Sequence, residues 1–247
     1  VGLRIEHLQS FINEHQYGRY ANHPKLKAAD YKLAVKTSSG RGVYTFCMCP
    51  GGKVINSSSE SGGVVVNGMS NQARDDVNAN SAILVTVGPE DFENDHPLSG
   101  IKYQQDLEHK AFILGGGNYH VPVMKIEDYL ETKPGNEMVK CSVLPGVENA
   151  DLNELFSKEI NTALKEGLIL MDQKISGFAS NAMLSGVESR SSAPVKFYRD
   201  KSYQSNIKGI YPIGEGAGYA GGIMSSAIDG LKCSEFILEG ENKKCQS

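Results

Sequence analysis

A glycine-dense turn near the end of the chain sets the tightest limit on its fold. Gly209-Ile-Tyr-Pro-Ile-Gly-Glu-Gly-Ala-Gly-Tyr-Ala-Gly-Gly-Ile223 is a short apolar run that breaks into glycines and then opens a helical pattern. Bare backbone can approach a phosphate closely, and the first amides of a following helix favour negative charge. Gly216, Gly218 and Gly221 fit the G-x-G-x-x-G spacing by which a strand, turn and helix cradle a dinucleotide. That fingerprint opens a βαβ unit and needs a second strand with an acidic residue about 20 positions on. Here Ile223, Met224, Ala227, Ile228 and Leu231 follow at the spacing of one buried helical face, and a polar tail follows them. The turn is expected to have a strand before it and a helix after it, without a nucleotide-binding unit of its own. It reads as the piece that finishes a site built elsewhere.

A chain of 247 residues suits one large domain or two smaller ones. Its net charge of −4, with both signs interspersed, offers no broad basic face to nucleic acid or anionic lipid. No apolar segment approaches the roughly 20 residues of a membrane helix, and Val1-Gly-Leu-Arg-Ile-Glu-His lacks a signal-peptide core. A cytoplasmic protein without nucleic-acid or membrane partners is expected. A start at Val1, without Met and already in a strand pattern, reads as a fragment. Cysteines at 47, 49, 141, 233 and 245, an odd number without scaffold spacing, imply reduced thiols.

Val1 to His7 alternates apolar and polar residues, the period of a half-buried strand, and Leu8, Phe11 and Ile12 suit a short helix. Strands are predicted at Tyr31 to Thr37 and Val43 to Cys49, flanking a Ser-Gly turn, and then at Lys53 to Asn56, Val64 to Asn67 and Ala82 to Val87. Ile101 to Leu114 reads as a helix stopped by three glycines. Asn149 is placed to cap a second helix from Leu152, running with a break at Gly167 to Ile175. Pro194 to Arg199 reads as a returning strand. The result is an α+β body with a terminal cofactor-type element.

Three groups of residues could carry chemistry. Glu215 sits between strand and helix, where a carboxylate can accept hydrogen bonds from sugar hydroxyls; alternatively the turn is structural and Glu215 faces solvent. Cys47 and Cys49, followed by Pro-Gly-Gly, could form a redox couple, since alternate residues of a strand share a face. They could equally be two small buried hydrophobes. A zinc site needs four ligands, usually from two local pairs, and the six scattered histidines supply no second pair. No metal site is assigned. Arg190, in Glu188-Ser-Arg-Ser-Ser, suits a substrate carboxylate, a phosphate or a reduced flavin, or else forms a surface pair with Glu188. Asn67-Gly-Met-Ser reads as a turn. No nucleophile triad, phosphate-binding loop of the Walker type or paired-His helix is present.

The run GIYPIGEGAGYAGGIMSSAIDG resembles the C-terminal flavin-binding segment of an uncharacterised FAD-dependent, NAD-utilising dehydrogenase family, flavoproteins of the glutathione-reductase-like superfamily. Tyr44-Thr-Phe-Cys-Met-Cys-Pro-Gly-Gly, Glu188-Ser-Arg-Ser-Ser-Ala-Pro-Val, the RIEH at 4 to 7 and the NGMS at 67 to 70 agree, so the resemblance spans essentially the whole chain. It implies a protein whose N-terminal Rossmann segment holds the FAD nucleotide, whose large insertion forms a second domain, and whose chain returns to complete the flavin site.

On that resemblance the fold is α+β: a β-rich insertion domain over residues 1 to 205, and the C-terminal strand-turn-helix of an incomplete FAD-binding Rossmann-like domain over residues 206 to 247. Gly214, Glu215, Gly216, Ala217, Gly218, Gly221, Gly222 and Ile223 are the cofactor-binding candidates. Cys47, Cys49 and Arg190 are the catalytic candidates. The expected cofactor is FAD in the intact protein and none on this fragment. The expected partners are the missing N-terminal FAD-binding segment, a nicotinamide cofactor and a small-molecule substrate. Two other classes stay open: a non-catalytic binding or interaction domain, and a redox or zinc module built on Cys47 and Cys49.

Overall fold

A computed structural model describes residues 1–133, 135 and 141–245, with backbone alone for 240–245. It divides into two compact units, Val1–Gly88 with Gln105–Ser189, and Pro89–Gln104 with Arg190–Ser247. The first unit is built on strands β1 (Gly2–Leu8), β2 (Ala34–Lys36), β3 (Gly42–Cys49), β4 (Gly52–Asn56), β5 (Val66–Ser70), β6 (Asn78–Val85), β7 (Val121–Lys125), β8 (Val147–Asn149) and β9 (Met183–Glu188). Its helices are α1 (Gln9–Tyr17), α3 (Ile126–Glu131) and α4 (Lys158–Asp172), while the residues of α2 (Ser99–Leu114) fall in both units. A seven-stranded sheet runs β2-β3-β6-β1-β9-β7-β8, antiparallel except for the β7–β8 pair, and β4–β5 form a separate antiparallel ribbon. The α+β expectation holds.

The sheet's two faces follow from its register. Leu3 lies opposite Ile83, and Ile5 opposite both Ser81 and Leu184, so these side chains share the face that helix α4 covers. Ser157 caps α4, its Oγ accepting from the Ile160 amide at 3.4 Å. Ile160, Ala163, Leu164, Leu168 and Met171 form its buried stripe. A Cβ at Gly167 would come within 2.6 Å of the Val43 side chain, so the glycine lets the helix sit on β3 rather than breaking it, as had been expected. The expected cap Asn149 ends β8 instead, and Asp151 caps a short 3-10 turn ahead of α4.

The other face carries Arg4, Glu6 and Asn80, and the β4–β5 ribbon packs over it. Strand β1 is therefore buried on both sides, against the half-buried expectation: Arg4 is 0% exposed and Glu6 4%. The strand expected at Pro194 to Arg199 is absent. Pro194 has no donor, and Phe197 makes one bond, to the Ala217 carbonyl. Nor does a strand precede the glycine turn, because the Ile207–Ile210 and Ser205–Ile210 backbone bonds close local turns and Pro212 lacks an N–H. Strands β7, β8 and β9 and helix α3 were not anticipated.

The second unit contains α5 (Ile223–Cys245) and the glycine turn. Among its described residues only Ala217 and Cys233 are buried and apolar. The α5 face expected to be buried is bare in this chain, with Ile223 88%, Met224 72% and Leu231 64% exposed.

Candidate functional site

In the first unit, four stretches far apart in sequence meet around one guanidinium. Arg4 Nε and Nη2 grip the Glu188 carboxylate at 2.7 and 2.8 Å, Nη1 donates to Asn80 Oδ1 at 2.7 Å and the Cys47 carbonyl at 3.2 Å, and Nη2 also donates to Asn67 Oδ1 at 3.2 Å. All five N–H donors are used, so Arg4 has none left for a ligand and acts by holding other groups. Burial opposes its charge, but Glu188 and the two thiols outweigh burial and hold its pKa above the ordinary value. Burial pushes the Glu188 carboxyl up, with Arg4 pulling against it. Asn80 Nδ2, fully buried, has no hydrogen-bond partner.

Both strands that carry Arg4's main contacts bulge beside it. Between Phe46 and Cys49, β3 has one residue more than the facing β6, and between Ser185 and Glu188, β9 has one more than β1. Such an insertion bends a strand and re-aims its side chains. In β3 it breaks the alternation expected to put both thiols on one face. Cys47 is exposed with φ 43°, and Cys49 is half-buried with its Sγ 3.4 Å from the Cys47 carbonyl. The reading of both as buried hydrophobes fails for Cys47. Across from them, a Cβ at Gly68 would fall 2.2 Å from Arg4 Nη1 and 2.8 Å from Cys49 Sγ, so only glycine lets the ribbon close over the cluster.

Arg190, exposed, follows directly on this cluster in sequence. The expected Arg190–Glu188 surface pair is not formed by Glu188, which is 2% exposed and bound to Arg4. Asn67-Gly-Met-Ser is part of strand β5 rather than a turn. Among the described residues, no group of three His, Cys, Asp or Glu side chains is placed to hold a metal ion.

In the second unit, Arg199 holds the glycine turn. Its guanidinium pairs with Asp229 of α5 through two bonds of 2.8 Å, donates to the Pro212 carbonyl at 3.0 Å and stacks 3.5 Å from the Tyr219 ring centroid. Asp229 in turn accepts from the Gly214 amide at 2.9 Å. These bonds hold the Asp229 carboxyl below its usual value. The turn closes on itself through Gly218 N to Glu215 O at 2.9 Å and Tyr219 N to Gly214 O at 3.0 Å. Gly218 has φ 81°, and a Cβ there would lie 2.6 Å from the Val195 carbonyl, so its glycine is structural. At Gly216 a Cβ would meet nothing within 4 Å, and no positive φ requires glycine. Glu215 and Gly216 are exposed, as are Gly221 and Ile223, whereas Gly214 and Ala217 are buried and Gly222 is half-buried.

Sequence reasoning missed Asn80, the Arg4–Glu188 pair, and Arg199 with Asp229. A signal for the first existed: Asn78-Ala-Asn-Ser puts two amides on the face that, in β1, carries Arg4 and Glu6.

A family model described as FAD-dependent protein, C-terminal domain-like, matches residues 1–191, a span that contains the whole Arg4 cluster. A relative from Clostridium beijerinckii, described as an uncharacterized protein, is 50% identical over 244 residues, which is 97% of this chain and 46% of the relative. The chain thus spans about half the length of the curated relative it matches. With most of its length covered by the family model, and with that model's span enclosing the buried Arg4 centre, the chain belongs to the FAD-dependent protein C-terminal domain-like family.

Proposed function

We propose that this chain is part of a cytoplasmic FAD-dependent oxidoreductase, an NAD(P)-linked dehydrogenase of the glutathione-reductase-like superfamily. In this reading residues 1 to 205 form the insertion domain facing a small-molecule substrate, and residues 206 to 247 close the flavin site. The observation that carries it is the bare backbone at Gly216, a glycine in a rigid turn that neither its dihedral nor any neighbour within 4 Å requires. Glycine at such a place suits the close approach of an outside group. The exposed Glu215 carboxylate beside it suits ribityl hydroxyls, and the start of α5 suits a negatively charged cofactor atom.

The residues present fit the cofactor: Gly214 to Ile223 would hold it, with Arg199 and Asp229 keeping the turn in shape. When bound, FAD supplies hydride and electron transfer. The partner that brings the rest of the site is an N-terminal FAD-binding segment, consistent with a relative about twice as long as this chain. That segment would also cover the apolar residues that α5 exposes. The odd number of cysteines without scaffold spacing supports a reducing compartment. Alone, the chain should hold FAD weakly, having one edge of the site.

The test is to purify the longer polypeptide and record its flavin absorption. Wild type should carry or take up FAD, and Gly216→Val should lose it with an unchanged circular dichroism spectrum. A polypeptide that neither carries nor takes up flavin would overturn the proposal.

A further inference from the structure

We propose that Cys47 and Cys49 are a reversible two-electron thiol pair, in which Cys47 is the attacking sulfur and Cys49 the resolving one. The inference stands apart from the flavin reading, since it needs no flavin.

Its first support is the asymmetry of the bulge. Cys47 occupies the extra-residue stretch of β3, exposed and with a left-handed φ of 43° that few non-glycine residues adopt. Cys49 lies behind it, half-buried, its thiol donating to the Cys47 carbonyl at 3.4 Å. One sulfur meets solvent while the other is held against its neighbour's peptide. Two residues of extended chain span roughly 6.6 Å, inside the roughly 4.4–6.8 Å between Cα atoms that a disulfide needs.

The second support is the framework. Arg4 fixes the Cys47 carbonyl at 3.2 Å, and its charge lies within electrostatic reach of both thiols. Gly68, opposite, leaves the space that Cys49 Sγ occupies. A cation near a thiol favours the nucleophilic thiolate. With no third metal-ligating side chain placed nearby, the pair fits thiol chemistry rather than zinc.

The oxidant is a low-molecular-weight disulfide, RSSR. Cys47 gives its proton to solvent and attacks one sulfur; the RS–SR bond breaks, RS⁻ leaves and takes up a proton, and Cys47 carries an S–R group. Cys49 then loses its proton and attacks Cys47 Sγ, expelling the second RS⁻. The sum is one new Cys47–Cys49 bond and two RSH, the pair having given up two electrons and two protons. A dithiol reductant reverses it. Burial pushes the Cys49 thiol up against the pull of Arg4, so the second step quickens as pH rises.

The experiment uses the full chain and oxidised glutathione, followed by alkylation and tryptic mass spectrometry. Cleavage after Arg41 and Lys53 releases one peptide that carries both thiols and no other cysteine, and Cys141 reports background reactivity from another peptide. Wild type should yield an unalkylated peptide two hydrogens lighter, restored by dithiothreitol. Cys49→Ser should accumulate one glutathione on Cys47, and Cys47→Ser should form an adduct on Cys49 slower by on the order of tenfold. A wild-type peptide that stays alkylatable, or that carries two glutathiones, overturns the proposal even if both variants misfold. Equal adduct rates in the two variants overturn the assignment of roles.

Discussion

Replacing Arg4 by Met takes a cation from a site that is 0% exposed and leaves its partner, Glu188, charged at 2% exposure. Removing one member of a buried ion pair costs about 3–5 kcal/mol, because the remaining charge has lost its compensation. Asn80 Oδ1 also loses its donor and is fully buried, whereas the Cys47 carbonyl and the Asn67 amide belong to exposed residues and can turn to water. With that buried acceptor added, the expected loss is roughly 4–6 kcal/mol, a large part of the roughly 5–15 kcal/mol by which folded domains are stable. The chain has no Trp, so unfolding in urea is best followed by far-ultraviolet circular dichroism. The double variant R4M/E188Q, which removes the stranded charge, should be more stable than R4M by roughly 1–3 kcal/mol. Glu188, raised further without Arg4, should make R4M recover stability relative to wild type between about pH 8 and about pH 5. An R4M variant within about 1 kcal/mol of wild type, or a double variant worse than R4M, refutes the view of this pair as a coupled buried charge.

Gly218→Ala should destabilise by roughly 1–3 kcal/mol, from positive-φ strain and the approach to the Val195 carbonyl, while Gly216→Ala should stay within about 0.5 kcal/mol. Equal losses in thermal melts would contradict the division of the turn into structural and open glycines. Burial raises the Glu6 carboxyl above its ordinary pKa. That contribution to stability is fully present below the unfolded carboxyl's pKa and is lost as pH rises through the folded one. Glu6→Gln removes the dependence and keeps the bonds: Asn78 Nδ2 and Ser142 N both donate to Oε1, and the Ser142 hydroxyl, which donates to Oε2, can accept from the new amide. Urea midpoints should move in favour of Glu6→Gln as pH rises, and a difference constant with pH would count against buried Glu6 as its source. Asp229→Ala should free the Gly214 amide, read as faster hydrogen exchange at Gly214 with exchange in β1 unchanged.

What could be read from sequence was what local periodicity encodes. Ile160, Ala163 and Leu164 recur at helical spacing and do form the buried stripe of α4, and Val43 to Cys49 alternates and pairs as a strand. Strand β7 was hidden by Pro122 and β8 by its three-residue length, for neither gives a period long enough to detect. Arg4 and Glu6 looked like the solvent face of β1 because nothing local says that a ribbon of residues 52–70 covers them. The Arg4–Glu188 pair joins residues 184 apart, a contact the folded sheet makes and no spacing rule can show. The RIEH, Cys-Met-Cys, NGMS and Glu-Ser-Arg stretches could be picked out one by one, but not their meeting at one guanidinium.

The two units differ in what holds them, and the difference bears on their proposed roles. The Arg4 cluster draws on β1, β3, β5, β6 and β9, within a sheet whose core residues are buried by the chain's own helices and ribbon. Groups fixed by strands on a self-sufficient core keep their geometry, which suits a place where thiols or a substrate must be positioned. The glycine turn is fixed locally by Arg199, Asp229 and Tyr219, yet its unit buries only Ala217 and Cys233 among its described apolar residues. Fully covering side chains such as Met224 and Leu231 would contribute roughly 1.5–3 kcal/mol each. An element with a pre-shaped turn and an uncovered apolar helix can gain much from a partner that supplies the cover. This is the physical character expected of the closing edge of a cofactor site, and it is why the flavin role is assigned to the turn and the thiol role to the sheet.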